Sequence, residues 1–193
     1  MNKNKKFDLR SNVIEEELRR VNYRARYMKL LKNTIFILIV VAAIATIIAS
    51  FVLSVLEIYG SSMNPTLKEG QVVIAYKSKD IEQKDLIAFY QGNKLLVKRV
   101  IAKQGDYVKI TDDGDVYING KKLDEPYICN KSLGESDIKY PYQVPDGHYF
   151  VLGDNRETSI DSRNSAIGAV AKEDILGEVK VRIWPINKLG IVK

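Results

Sequence analysis

The feature that most constrains this chain is a long apolar segment near its N-terminus. Residues 34–56 contain no charged side chain and are rich in Ile, Val, Leu and Ala. As an α-helix rising about 1.5 Å per residue, these 23 residues extend roughly 35 Å, which exceeds a hydrocarbon core of about 30 Å. The segment therefore predicts a single transmembrane helix.

A cleavable secretory signal is the competing interpretation of this segment. Such signals have a short positive head, an apolar stretch of about 7–15 residues and a small-residue cleavage site. Here the head has 33 residues, and the Ala-x-Ala sequence inside the segment, Ala43-Ile44-Ala45, is followed by more apolar chain. We therefore expect an uncleaved anchor.

The distribution of charge predicts an orientation. Residues 1–33 hold ten Lys or Arg and four acidic residues, so their net charge of +6 equals that of the whole chain. A basic tail beside an apolar segment follows the positive-inside rule. We expect residues 1–33 to form a cytoplasmic tail and residues 57–193 to form an extracytoplasmic domain. Because that domain is neutral overall, no nucleic-acid partner is expected.

The tail also has a helical pattern, because Ile14, Leu18, Val21, Ala25 and Met28 recur at alternating steps of four and three. A helix with one apolar stripe and many basic residues is attracted to the anionic surface of the lipid bilayer. A partner-binding helix is the alternative.

The domain after the anchor is predicted to be mainly β. Short β-branched or aromatic runs are separated by turn residues, and 112–115 are expected to close a hairpin. A loop-rich excursion is expected at 123–147, where Pro and Gly are frequent. The predicted strands are 72–76, 85–90, 94–102, 107–110, 116–118, 149–152 and 178–183.

The single cysteine and the single histidine are interpreted as non-catalytic. Cys129 has no second cysteine with which to form an internal disulfide, and a catalytic thiol would need a positioned histidine. His148 lies among turn residues at the beginning of a predicted strand. We interpret it as a strand-edge histidine.

Ser62 is a candidate nucleophile because it lies shortly after the apolar segment in the run Gly60-Ser61-Ser62-Met63-Asn64-Pro65. A serine hydroxyl is a poor nucleophile until a neighbouring base takes its proton. A histidine is the usual base, but a neutral lysine can serve where burial lowers its pKa from about 10.4.

Lys98 is the candidate base because it lies in the apolar run 95–101. Strand alternation places Leu96, Lys98 and Val100 on one face, and Arg99 is expected to point the other way and stay solvated. A lysine that snorkels at a strand edge is the alternative interpretation.

A dense polar stretch follows the predicted strand 149–152. It reads Gly153-Asp154-Asn155-Arg156-Glu157-Thr158-Ser159-Ile160-Asp161-Ser162-Arg163. One interpretation is a solvated turn. The other is a set of hydroxyl and carboxylate groups that orients a buried amine.

With these segments in this order, the chain resembles the type I signal peptidases, membrane-anchored Ser-Lys proteases that remove signal peptides. The resemblance rests on the box Ser62 to Leu67, the strand 85–89, the box Lys98-Arg99-Val100 with Gly105-Asp106 following, and the polar stretch 153–163. It implies a mainly β catalytic domain behind one transmembrane helix. It also implies a serine endopeptidase that processes exported preproteins.

The resemblance implies roles for particular residues. Ser62 is expected to be the nucleophile, Lys98 the general base and Ser159 the hydroxyl that orients the lysine. Asp161 and Arg163 are expected to support them as a pair. No metal or cofactor is implied.

Two departures point to the compact form found in Gram-positive bacteria. Some members place a second serine two residues before the nucleophile as an oxyanion donor, whereas this chain has Gly60. Backbone N–H groups, including that of Ser62, must then carry more of the stabilisation. The excursion at 123–147 is also short.

The resemblance further implies membrane-bound preprotein substrates with small residues at the first and third positions before the cleaved bond. Shallow apolar pockets enforce such a choice because larger side chains clash. The expected wall residues are Ile58, Met63, Val73, Ala88 and Val97.

Two alternatives stand beside this interpretation. Self-cleaving repressors share a related Ser-Met box and a β fold, but this chain has an apolar anchor where a DNA-binding head would lie. A catalytically silent, membrane-anchored binding module of the same fold is the other alternative, and the full set of polar catalytic residues argues against it.

Overall fold

The computed structural model describes residues 3–78 and 80–192. Met1 and Asn2 of the predicted tail, and Lys79 and Lys193 of the predicted domain, lie outside the described residues. The chain divides into two compact units, Met1–Ser50 and Phe51–Lys193.

The first unit is helical. Helix α1 spans Lys3–Val52 and joins the predicted tail helix to most of the predicted membrane span. Its stretch Ile14–Ile48 is long and apolar enough to cross a membrane, which fits an anchor. The apolar stripe of the tail is exposed in the described chain, since Ile14 and Leu18 keep 59% and 55% of their full accessible surface.

The end of the helix differs from the prediction. We expected the span to continue to Leu56, but the helix ends at Val52 and Leu53–Glu57 forms strand β1. This expectation was wrong because β1 pairs residue by residue with 72–76, which satisfies its backbone groups. An uncharged sequence alone does not distinguish a last helical turn from an apolar strand.

The second unit is mainly β, as predicted. Its longer strands after β1 are β2 (Val72–Tyr76), β3 (Leu86–Gln91), β4 (Lys94–Lys103), β5 (Tyr107–Ile110), β6 (Val116–Ile118), β9 (His148–Leu152) and β11 (Ile175–Trp184). Two-residue strands are β7 (Lys121–Lys122), β8 (Tyr142–Gln143), β10 (Val170–Ala171) and β12 (Gly190–Ile191). Short 3-10 helices lie at Lys172–Asp174 and Ile186–Lys188.

The strands form two antiparallel sheets. The larger has the order β1-β2-β11-β3-β4-β9-β10, with β12 paired to β11, and the smaller has the order β7-β6-β5-β8. All seven predicted strands are present, and the two-residue strands were not predicted. Within 123–147, the predicted excursion, β8 is the regular element that the structure describes.

The core anchors the loop that carries Ser62. Met63 and Leu67 are 2% and 0% exposed and pack in one cluster with Val73, Ala88 and other side chains of the larger sheet. A second cluster, which includes Val108 and Phe150, lies where the two sheets meet. Burying apolar side chains of this size stabilises the fold by about 1.5–3 kcal/mol each, so the Ser62 loop is tied to the sheet.

Candidate active site

Ser62 lies in a tight loop between β1 and β2. Its neighbour Met63 is buried, and the backbone N–H of Leu67 donates to the Met63 carbonyl at 2.9 Å. Gly60 has a φ of +78°, a left-handed conformation that strains residues with a side chain. Ser62 itself is half-buried, so its hydroxyl is carried by an anchored loop at the surface of the core.

Lys98 is buried in the middle of the larger sheet. It sits on β4 opposite Ile87 of β3 and is 3% exposed. Burial lowers the pKa of its amine from 10.5 to about 8; the Asp161 and Asp154 carboxylates oppose the shift and the Arg163 guanidinium adds to it. The amine donates a hydrogen bond to the Ser159 hydroxyl at 2.9 Å. The structure thus brings together the predicted base and its predicted orienting residue.

Ser62 and Lys98 line the same small cavity of about 70 Å³. Three of the five predicted wall residues, Ile58, Met63 and Val97, also line it. The other two, Val73 and Ala88, are fully buried in the same core cluster as Ile58 and Met63 and do not line the cavity. Further lining residues are Glu57, Tyr59, Leu95 and Leu96.

The loop after β9 packs directly against the Ser62 loop. The backbone N–H of Asn155 donates to the Ser62 carbonyl at 3.0 Å, and the Ser159 N–H donates to the Asn155 carbonyl at 3.1 Å. A Cβ on Gly153 would lie 2.2 Å from the Ser159 hydroxyl oxygen and 2.6 Å from the Ser62 carbonyl oxygen. Only glycine fits at this position, because any side chain would push Ser159 and Ser62 apart.

Asp161 and Arg163 stabilise this loop through hydrogen bonds to its backbone. The Arg163 Nε donates to Asp161 Oδ1, and one terminal nitrogen donates to Oδ2, each at 2.8 Å. Both side chains are fully buried. Arg163 also donates to the Ser159 carbonyl at 3.2 Å, and Asp161 accepts from the Gly153 N–H at 3.0 Å. The pair therefore fixes the backbone on either side of the hydroxyl that holds Lys98.

The burial of Arg99 differs from the prediction. We expected it to stay solvated, but it is 1% exposed and donates twice to Asp154, at 2.8 and 2.7 Å. Its guanidinium also donates to the Lys84 carbonyl and lies 4.0 Å from the centre of the Tyr127 ring. The prediction was wrong because alternation assigns a side chain to a face of the strand and does not show what covers that face.

This buried cluster also reaches the loop that carries Ser62, because the Thr66 hydroxyl donates to the Asp154 carboxylate. Arg99 and Asp154 lie inside the short segments on which the resemblance to the family rests. The sequence therefore offered a signal that they belong to the candidate site. Tyr127 carried no such signal, since it lies in the predicted loop-rich excursion.

The excursion is tied to the same loop by buried charges. Glu125 forms an ion pair with Arg156, and their side chains are 5% and 1% exposed. The Tyr127 hydroxyl donates to the Glu125 carboxylate at 3.0 Å, and Arg163 donates to the Leu133 carbonyl at 2.7 Å. The excursion therefore forms one wall of the structure that holds residues 153–163.

The two residues interpreted as non-catalytic lie away from the small cavity. His148 is the first residue of β9, and its Nδ1 lies 2.7 Å from the Asp146 carbonyl oxygen. Cys129 is exposed and free. Among the described residues, no group of three His, Cys, Asp or Glu side chains is arranged to hold a metal ion.

Comparison with known proteins gives consistent matches. The signal peptidase family, peptidase S26, matches residues 31–184. Signal peptidase IB of Staphylococcus aureus (strain Mu50 / ATCC 700699) is 39% identical over 163 residues, which cover 74% of this chain and 83% of that protein. Signal peptidase I of Bacillus licheniformis is 34% identical over 175 residues, which cover 82% and 93%. A crystal structure of a signal peptidase I from Enterococcus faecalis V583 aligns with a TM-score of 0.42 and 33% identity, covering 52% of this chain and 97% of that one.

Proposed function

This chain belongs to the signal peptidase family, peptidase S26, and is a serine peptidase that removes signal peptides; we propose that it does so with Ser62 as nucleophile and Lys98 as general base. The observation that carries the proposal is the buried Lys98 amine, which shares a small cavity with Ser62 and is hydrogen-bonded to Ser159. The alternative of a catalytically silent binding module is not favoured, because the relatives are named as peptidases.

In the proposed reaction, the Ser62 hydroxyl attacks the carbonyl carbon of the cleaved bond while Lys98 accepts its proton. The lysine ammonium then gives that proton to the departing amine of the mature protein, which leaves an acyl-enzyme on Ser62. Water, activated by the neutral Lys98, releases the signal peptide. The base and the acid of this cycle are the same amine.

The lowered pKa of Lys98 supports its role as a base. With a pKa of about 8, about one fifth of the amines are neutral near pH 7.4. An ordinary lysine would be neutral in only about one molecule in a thousand at that pH. Burial therefore raises the population of the active form by roughly two orders of magnitude.

Ser159 and its supporting pair determine where that amine points. A lysine side chain rotates about several bonds, so the hydrogen bond to Ser159 keeps the amine beside the cavity that Ser62 lines. Arg163 donates to the Ser159 carbonyl and is itself held by Asp161, which makes both of them positioning residues.

The backbone around Ser62 supplies the proposed oxyanion stabilisation. Within the described part of the chain, the Ser62 N–H donates no hydrogen bond, so it is available to the oxygen that becomes negative during attack. Gly60, in its left-handed conformation, shapes the turn that presents this N–H.

Substrate choice is proposed to follow from the size of the small cavity and from its apolar side chains. A volume of about 70 Å³ lined by Ile58, Met63 and Val97 admits a small side chain and excludes larger ones. This supports preproteins with small residues at the first and third positions before the bond. Helix α1 would hold the enzyme in the cell membrane of a Gram-positive bacterium beside such membrane-bound substrates, with the tail in the cytoplasm and the β unit on the outer face.

The test is cleavage of a purified preprotein, with the cut site read by mass spectrometry. Ser62→Ala and Lys98→Ala should each lower the rate by more than about a thousandfold, and the double variant should be no slower than either single one. Thermal unfolding should show that all three variants stay folded. His148→Ala is the control and should keep nearly the wild-type rate. Substantial turnover by Lys98→Ala would contradict the dyad.

A further inference from the structure

A second, larger cavity adjoins the nucleophile loop. It has a volume of about 390 Å³ and begins at Asn64 and Pro65, the residues that follow the Ser62-Met63 edge of the small cavity. The loop that carries Ser62 thus borders both recesses. We call the larger one the polar cleft, and the residues that characterise it are Asn64, Lys68, Cys129, Asn155, Glu157 and Thr158.

Residues that line the polar cleft form hydrogen bonds with the backbone of the Ser62 loop. The Asn155 N–H donates to the Ser62 carbonyl at 3.0 Å, and its side-chain amide donates to the Ser61 carbonyl at 3.2 Å. The Thr158 hydroxyl lies 3.5 Å from the Ser61 hydroxyl. A peptide bound in this cleft would therefore lie next to the reacting serine.

The two recesses differ in size. The small cavity of about 70 Å³ has room for a single small side chain, whereas the polar cleft, at about 390 Å³, falls within the range of about 300–1,000 Å³ typical of ligand sites. Lys68 and Glu157 of the cleft are exposed, and neither has an ion-pair partner among the described residues. Among the described residues that line the cleft, Lys68 and Glu157 therefore offer a cation and an anion without ion-pair partners to a bound peptide.

We propose that the polar cleft binds the first residues of the mature protein, those that follow the cleaved bond, and that Lys68 and Glu157 select among them by charge. This inference rests on the proposed function. A substrate held across Ser62 must continue on the far side of the nucleophile from the pocket that takes its small residues. The cleft is the recess that borders the Ser62 loop beside the small cavity, and its exposed Lys68 and Glu157 can pair with charged residues of a bound peptide.

Cys129 provides a direct test, because it is exposed in the cleft and is the chain's single cysteine. The full-length enzyme is alkylated with a bulky maleimide and assayed on two substrates. One is a preprotein, and the other is a signal-peptide fragment that ends in a small chromogenic amide directly after the cleaved carbonyl. Cys129→Ser treated with the same reagent is the control and should behave as it does before treatment.

Alkylation should lower kcat/KM for the preprotein by about tenfold or more and change that for the truncated substrate by less than about twofold. An equal fall for both substrates, or no fall for either, would overturn the assignment of the cleft. If the untreated enzyme cleaves neither substrate, the proposed function itself is overturned, so the two failures are distinguishable.

Charge reversal tests the selectivity separately. The quantity measured is the ratio of kcat/KM for a preprotein with acidic residues just after the bond to kcat/KM for one with basic residues there. Glu157→Lys should raise this ratio by about fivefold or more. Lys68→Glu should shift it in the opposite direction. Glu173→Lys makes the same charge change at an exposed residue outside the cleft and should leave the ratio unchanged. Equal shifts in Glu157→Lys and Glu173→Lys would contradict selection by the cleft.

Discussion

The protonation state of Lys98 results from opposing effects on one amine. Burial disfavours the ammonium and is the largest effect, whereas the carboxylates of Asp161 and Asp154 favour it. Both carboxylates are themselves bound to arginines, which limits how strongly they hold a proton on the lysine. The outcome is a pKa of about 8, low enough for a base near neutral pH.

Ser159 gives a prediction at the scale of a single hydroxyl. Ser159→Ala should lower kcat by about a hundredfold, because the amine loses its hydrogen bond and rotates away from Ser62. Ser159→Thr keeps the hydroxyl and should retain much more of the rate. The comparison is made by steady-state kinetics on a preprotein, with thermal unfolding as the check on stability.

A purely structural role for Ser159 would predict a different result. The two variants would then lose activity in proportion to their loss of stability. Full activity in Ser159→Ala would show that Lys98 is not oriented by this hydroxyl.

At the scale of elements, strand β4 carries two buried cations on opposite faces. Lys98 faces the cavity beside Ser62, and Arg99 faces Asp154 and Tyr127. The alternation in the sequence predicted their opposite directions. It did not predict the burial of Arg99, because that depends on the excursion and the loop after β9, which fold against this strand from distant positions in the chain.

The ion pair between Glu125 and Arg156 gives a prediction about the excursion. Glu125→Gln should lower the free energy of unfolding by about 3–5 kcal/mol, because Arg156 would remain buried without its partner charge. Glu82→Gln is the matched control, since it breaks an exposed pair with Lys103 and should cost less than about 1 kcal/mol. Denaturant unfolding of both variants measures the difference. Equal costs would show that the excursion does not depend on this pair.

The strands were more predictable than their boundaries and partners. The strands 72–76, 107–110 and 116–118 coincide with β2, β5 and β6, because β-branched runs there are bounded by turn residues. Strand β1 was missed because its first four residues, 53–56, continue the uncharged segment without a break in composition. Two-residue strands such as β8 depend on a partner strand and leave no local signal.

At the scale of the whole molecule, the net positive charge of the chain lies in residues 1–33, before the apolar segment. If the tail is cytoplasmic, protease added outside spheroplasts should digest residues 57–193 and spare residues 1–33. Antibodies against tags at the two ends would follow the fragments, and lysed spheroplasts are the control in which both ends are digested. Protection of the C-terminal end in intact spheroplasts would reverse the orientation and contradict the proposed site of action.

The candidate site was predictable where its residues lie in short segments and not where they lie in the excursion. Ser62, Lys98 and Ser159 each belong to a compact box, and the structure brings those boxes together. Tyr127 and Glu125 lie in a stretch whose composition indicates only a loop, and their contacts with Arg99 and Arg156 are set by the fold. Sequence-based reasoning therefore identified residues that the structure brings together in the candidate site and missed much of what supports them.

The most direct test of the central claim is the pH dependence of kcat/KM for a preprotein, which reports the ionisations of the free enzyme. In the proposed dyad the neutral Lys98 amine is the active form, so kcat/KM should rise with pH through a midpoint near 8, the pKa that burial gives this lysine, and should fall about tenfold per pH unit below it. The rise should persist unchanged in His148→Ala. A midpoint near that of an ordinary lysine, or a rise near pH 6.5 that disappears in His148→Ala, would contradict the account.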